Sequence, residues 1–135
     1  MTLENLVRIK ELRSEPPDRR EFEGLVKAAA DRLTDAGNRG LSYASRFDLA
    51  YNAAHGLALA ALRAAGYRSD KRYLVFQCLV HTMNLSRGPI RLFSVCHEWR
   101  NRAEYEGYLE SDESLLEELI DNTKQLLQAV KTIGF

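Results

Sequence analysis

Pro16, Pro17 and Pro89 are the only prolines in 135 residues. Proline breaks helices, so the long stretches between these positions are free to be helical. Asn-Gly and Asp-Gly pairs are missing, and no segment shows convincing period-two alternation, which argues against hairpins. Cysteine is restricted to Cys78 and Cys96, outside any Cys-x-x-Cys motif. That fits a reducing cytoplasm better than a disulfide scaffold. No apolar run approaches the roughly 20 residues of a membrane span. The opening MTLENLVRIKELR is charged throughout and holds no signal-peptide core. The expectation is a cytoplasmic protein with no membrane association. An excess of either charge is absent too: 19 basic residues meet 19 acidic ones, at a pI near 6.8. A general polyanion binder would carry a basic excess, although a local basic patch remains compatible with this balance. No phosphate-binding Gly-x-x-x-x-Gly-Lys loop, dinucleotide-binding Gly-x-Gly-x-x-Gly turn or Gly-x-Ser-x-Gly elbow occurs.

What is present is helical periodicity. Leu3, Leu6, Val7 and Ile9 suggest a short first helix or extension over residues 1–17. Asp18 is placed to cap a second helix with Phe22, Leu25, Val26, Ala29, Ala30 and Leu33 on one stripe, ending near the glycines at 37 and 40, which tolerate left-handed backbone. Ser42 or Ser45 opens a third, alanine-rich helix from Phe47 to Leu62, ending at Gly66; its small side chains make it the expected centre of the molecule. Asp70 is the expected start of a fourth helix. Residues 84–88 read as a turn before Pro89, and Gly107 as the stop of a fifth helix. Ser111 or Asp112 caps the last, with early glutamates and later lysines matching the helix dipole. The fold class is therefore all-α: a single domain over residues 1–135, an up-and-down bundle of about five to six helices.

The densest polar stretch is RNRAEYEGY, Arg100 to Tyr108. Arg100, Ala103 and Glu104 share a helical face, and a helix end can gather Arg100, Asn101, Glu104 and Tyr105 around one opening. Arginine's planar fork suits phosphate, Asn101 can bond a base edge or ribose, and Tyr105 can stack on a base. Exposed ion pairs on a solvated helix end are the alternative. Arg68, Lys71 and Arg72 in GYRSDKRY raise the same choice. Cys78, His81, Cys96 and His97 contain metal-ligand residue types. Neighbours on a helix diverge by about 100°, however, so Cys96 and His97 are poorly placed to share an ion. No metal site and no cofactor are expected.

Two stretches resemble the HEPN superfamily of nucleotide-binding helical domains. FDLAYNAAHGLALAALRAAGYR, Phe47 to Arg68, is similar to the alanine-rich central helix of small prokaryotic members. EWRNRAEYEG, Glu98 to Gly107, is similar to their R-N-x-x-x-H or R-x-x-A-[DE]-Y element. The pattern covers roughly residues 20–131. The resemblance implies a homodimer with a nucleotide- or RNA-binding cleft between subunits, and in active members metal-independent RNA cleavage by an Arg and a His. It also implies a place in toxin–antitoxin systems, with a nucleotidyltransferase-type antitoxin partner. Carried over, Arg100 matches the motif arginine and Asn101 the polar residue after it, while Tyr105 stands where the histidine belongs. Tyrosine, with a pKa near 10, is a poor base at neutral pH.

The resulting expectation is a nucleotide- or RNA-binding module using Arg100, Asn101, Glu104, Tyr105 and Tyr51. The alternatives are an endoribonuclease toxin with Arg100, Tyr105 and His55 as catalytic residues, and a protein-interaction bundle without a ligand. Gly56 in the middle of the alanine-rich helix costs about 1 kcal/mol against alanine, which close helix packing, including across a dimer axis, would explain.

Overall fold

A computed structural model describes residues 2–134; Met1 and Phe135, the ends of the expected domain, lie outside the described residues. The chain is an all-α bundle. Its helices are α1 (Leu3–Arg8), α2 (Arg19–Ala36), α3 (Tyr43–Ala64), α4 (Arg72–Gln77), α5 (Leu79–Thr82), α6 (Arg87–Glu106) and α7 (Glu113–Val130). Only Cys78 separates α4 from α5, so the two form one broken helix.

Local chemistry sets the helix ends. Asp18 Oδ1 accepts from the amides of Arg20 (2.9 Å) and Glu21 (3.1 Å), Ser42 Oγ from Ser45 (3.2 Å), and Asp112 Oδ1 from Leu115 (3.0 Å). Each satisfies amides that a helix start leaves unpaired. Gly107 ends α6 at φ +81°, a left-handed cap open to glycine. Gly37 ends α2 without that geometry, at φ −74°. Asp70 does not cap the fourth helix. Lys71 holds the cap position, and its amide is taken by Ser69 Oγ at 3.1 Å.

The sequence shows no strand, yet β1 (Arg13–Ser14) and β2 (Tyr67–Arg68) form an antiparallel bridge. At two residues each they are too short for alternation to register. Side chains hold them instead. Arg63, 1% exposed, donates to Glu21 Oε1 (2.6 Å) and to the carbonyls of Glu15 (2.9 Å), Pro16 (2.7 Å) and Tyr67 (3.3 Å). Arg68 pairs with Glu15 and Glu21, and Lys71 with Glu11 at 2.6 Å. These guanidinium bonds hold both glutamates below the usual carboxylate range.

Helix α3 is the centre, as its alanines suggest. It packs against α2, α4, α5, α6 and α7, and Ala50, Ala53, Ala54, Leu57, Ala60 and Leu62 are fully buried. Gly56 faces α2 of the same chain: a Cβ there would lie 3.9 Å from the Leu25 carbonyl and 4.0 Å from Ala29 Cβ. These are ordinary contact distances, so α2 does not approach closely enough to require glycine at 56, and the alanine stripe is buried in the core of the subunit.

Candidate functional site

The polar face of the core lies where α3, α4 and α6 meet. On α3, Asp48, Tyr51, Asn52 and His55 recur at intervals of three and four, so they form one stripe. On α6, His97, Arg100 and Asn101 do the same. Helix α4 adds Arg72 and Tyr73.

Tyr51 is the hub. Its ring is fully buried, and its hydroxyl lies 2.8 Å from His97 Nδ1. The other nitrogen of His97, Nε2, is 3.1 Å from the Asn101 amide nitrogen. The Arg100 guanidinium stands 5.1 Å above the Tyr51 ring and that of Arg72 stands 5.6 Å from it, within reach of the ring's negative face. Arg72 is oriented by Asn52 Oδ1 at 2.9 Å. Arg100 donates through Nε to Asp48 (3.1 Å) and pairs through Nη1 with Glu104 (3.3 Å). Both carboxylates are more than half exposed, so these pairs are weak and exchangeable. Among the described residues Arg72 has no carboxylate partner.

The electrostatics follow from burial beside two fixed cations. Burial, then Arg72 and Arg100, pushes the His97 pKa down, which keeps the ring neutral at physiological pH. His55 is affected more: burial, then Arg72, His97 and Arg100, lowers it to about 4. Its Nε2 is buried without a hydrogen-bond partner, and its ring meets Phe76 edge-on. Burial raises Tyr51, so its phenol stays protonated. On its other side Arg100 borders an open groove of about 510 Å³, lined by Ala44, Ser45, Asp48, Ala103, Tyr108 and Leu109 among others.

The structure thus brings together Arg100, Asn101, Tyr51 and Glu104 of the sequence-expected set. His55 lies one turn along the same stripe, half-buried with its Nε2 enclosed, and is a poor base. Tyr105 stands apart: it is 92% exposed, and its five-residue offset from Arg100 rotates it about 140° around α6. Tyr51, fully buried, serves as a floor under the arginines rather than a platform for a base. Sequence reasoning passed over His97 as a member of this cluster, along with Arg72, Asn52, Asp48 and Tyr73. The spacing of His97 to Arg100 and Asn101 carried a local signal; Arg72, on a separate helix, had none. Of the three cations in GYRSDKRY, Arg68 and Lys71 are engaged by glutamates and only Arg72 reaches the cluster.

Cys78 and Cys96 are buried free thiols, pushed up by burial to about 11 and about 12. Among the described residues no group of three or more His, Cys, Asp or Glu side chains is placed to hold a metal ion. Among the described residues no helix is long and apolar enough to cross a membrane. No protein-family model matches this chain, and no curated protein matches it.

Proposed function

We propose that this chain is a HEPN-like helical protein that binds the phosphate of a nucleotide or of RNA through Arg72 and Arg100. The observation that carries this reading is the convergence of two guanidiniums over the buried Tyr51 ring, one of them without an opposing carboxylate. The planar fork of a guanidinium matches the oxygens of a phosphate, and two such forks lie within about 6 Å of one ring. Asn101 adds an amide beside them, and the groove next to Arg100, with Ala103, Tyr108 and Leu109 on its walls, is where a base or ribose would lie. The same reading extends to a cytoplasmic homodimer with a nucleotidyltransferase-type partner in a toxin–antitoxin system, which rests on the resemblance of Phe47–Arg68 and Glu98–Gly107 alone.

Binding is favoured over cleavage by the state of the histidines. A general base must be free to take a proton. The lone pair of His97 Nε2 is turned to the Asn101 amide, so a proton is taken there only with rotation of that amide and not directly from a ribose hydroxyl, and His55, half-buried, has its pKa lowered to about 4. The test is to titrate a labelled single-stranded RNA with the wild type and Arg100→Ala in EDTA, following both binding and strand length. The reading expects salt-sensitive binding of intact RNA that Arg100→Ala loses. Cleavage by the wild type but not the variant would establish a metal-independent ribonuclease instead. Indifference of both proteins to RNA and nucleotides would leave the protein-interaction bundle.

A further inference from the structure

The Tyr51–His97–Asn101 chain is a hydrogen-bonded line with a defined direction. Asn101 turns its NH₂ toward His97 Nε2, so that nitrogen must offer a lone pair. The ring proton then sits on Nδ1, where it is donated to the Tyr51 hydroxyl oxygen. Adding a proton to Nε2 makes both ring nitrogens donors. An Nε2–H facing an NH₂ is donor against donor, and the remedy is rotation of the Asn101 amide. Its Oδ1 then accepts from Nε2–H, and its NH₂ is freed to face outward beside Arg100.

Charge favours the same change when an anion arrives. Asp48 and Glu104 both pair with Arg100, so among the described residues the Arg72 guanidinium has no carboxylate of its own. A proton on His97 adds a further positive charge near it. We propose that His97 is a positioning residue and that phosphodiester binding here takes up one proton from solvent, held on His97, which turns the Asn101 NH₂ toward the ligand. This rests on the phosphate-binding reading above and deepens it. The groups around His97 are Tyr51 and His55 from α3, Arg72 and Tyr73 from α4, and Glu98, Arg100 and Asn101 on α6 itself; Asp48 and Glu104 bear on it through Arg100, with which they pair. The two arginines keep the free ring neutral; a bound anion offsets them and favours the imidazolium. Affinity therefore rises as pH falls through the His97 pKa of the complex, and levels off below that of the free protein.

The test measures binding of the dinucleotide UpU between pH 8 and pH 5, a range over which its phosphodiester keeps one negative charge. Wild type and His97→Gln are compared; Asp48, Glu104 and His55 are common to both, so their titration cancels. The expected result is binding that tightens several-fold from pH 8 toward pH 5 for the wild type, with most of that gain lost in the variant. Equal pH dependence in the two proteins overturns the proposal while leaving phosphate binding intact. No UpU binding by the wild type at any pH overturns both. A second readout uses the wild type alone: NMR of the Asn101 side-chain amide should titrate in step with the His97 ring nitrogens. An amide that stays constant while the ring titrates overturns the switch.

Discussion

The Tyr51 hydroxyl and His97 Nδ1 meet at 2.8 Å across 46 positions of sequence. That single contact ties the centre of α3 to the middle of α6. It also fixes where Arg100 and Asn101, three and four residues further along α6, can point. The buried phenol serves as both a floor for two guanidiniums and an anchor for the imidazole.

Tyr105→Ala is expected to leave stability and RNA affinity unchanged, because the side chain is 92% exposed and lies away from Arg100 around the helix. Anisotropy with labelled RNA checks it. A loss of affinity of tenfold or more would return Tyr105 to the site.

Gly56→Ala is expected to stabilise the protein by about 0.5–1 kcal/mol. The new Cβ meets Leu25 O at 3.9 Å and Ala29 Cβ at 4.0 Å, which are ordinary contacts, and the helix interior no longer carries glycine's entropy. Urea unfolding reads the change. A destabilised variant would show that α2 and α3 are closer in solution.

Arg63→Ala removes four hydrogen bonds from a side chain that is almost fully enclosed. Three bereft acceptors are backbone carbonyls at the β1–β2 bridge. The expected cost is roughly 3 kcal/mol, with early loss of protection at residues 13–16 in hydrogen exchange. A cost below about 1 kcal/mol would mean that Arg68 alone holds the segment.

Folding lowers the His55 pKa from 6.5 to about 4. Between those values the unfolded chain binds a proton that the folded chain does not. Stability therefore falls as pH drops from about 6.5 toward about 4, by roughly 3 kcal/mol over the window. In His55→Leu this contribution should vanish, leaving the loss from His97, whose pKa folding also lowers, and the acid loss from Glu15 and Glu21, which begins as pH falls through the ordinary carboxylate range. Denaturation at a series of pH values compares the two slopes; parallel slopes would contradict the lowered pKa of His55.

Much of the fold is legible from local chemistry. Asp18 announces one helix start, the pairs Ser42 or Ser45 and Ser111 or Asp112 narrow two more to a choice that falls on Ser42 and Asp112, Gly107 announces a stop, and the alanines of α3 announce the centre. The β1–β2 bridge is not legible, because its stability comes from Arg63 and Arg68 reaching glutamates more than forty residues away. The site divides the same way. Arg100 and Asn101 stand out in a polar run, and His97 shares their spacing, although its neighbour Cys96 suggests metal ligation instead. Arg72 joins them only because α4 crosses α3, a tertiary fact that no window of sequence contains.

The central claim is that Arg72 and Arg100 act together on phosphate. The most direct measurement is the affinity of Arg72→Ala and Arg100→Ala for one short single-stranded RNA at two salt concentrations, with helicity confirmed by circular dichroism. The account predicts that each variant stays folded, binds at least about tenfold more weakly, and shows a shallower salt dependence by roughly one phosphate contact. Wild-type affinity and salt slope in a folded Arg72→Ala would contradict it.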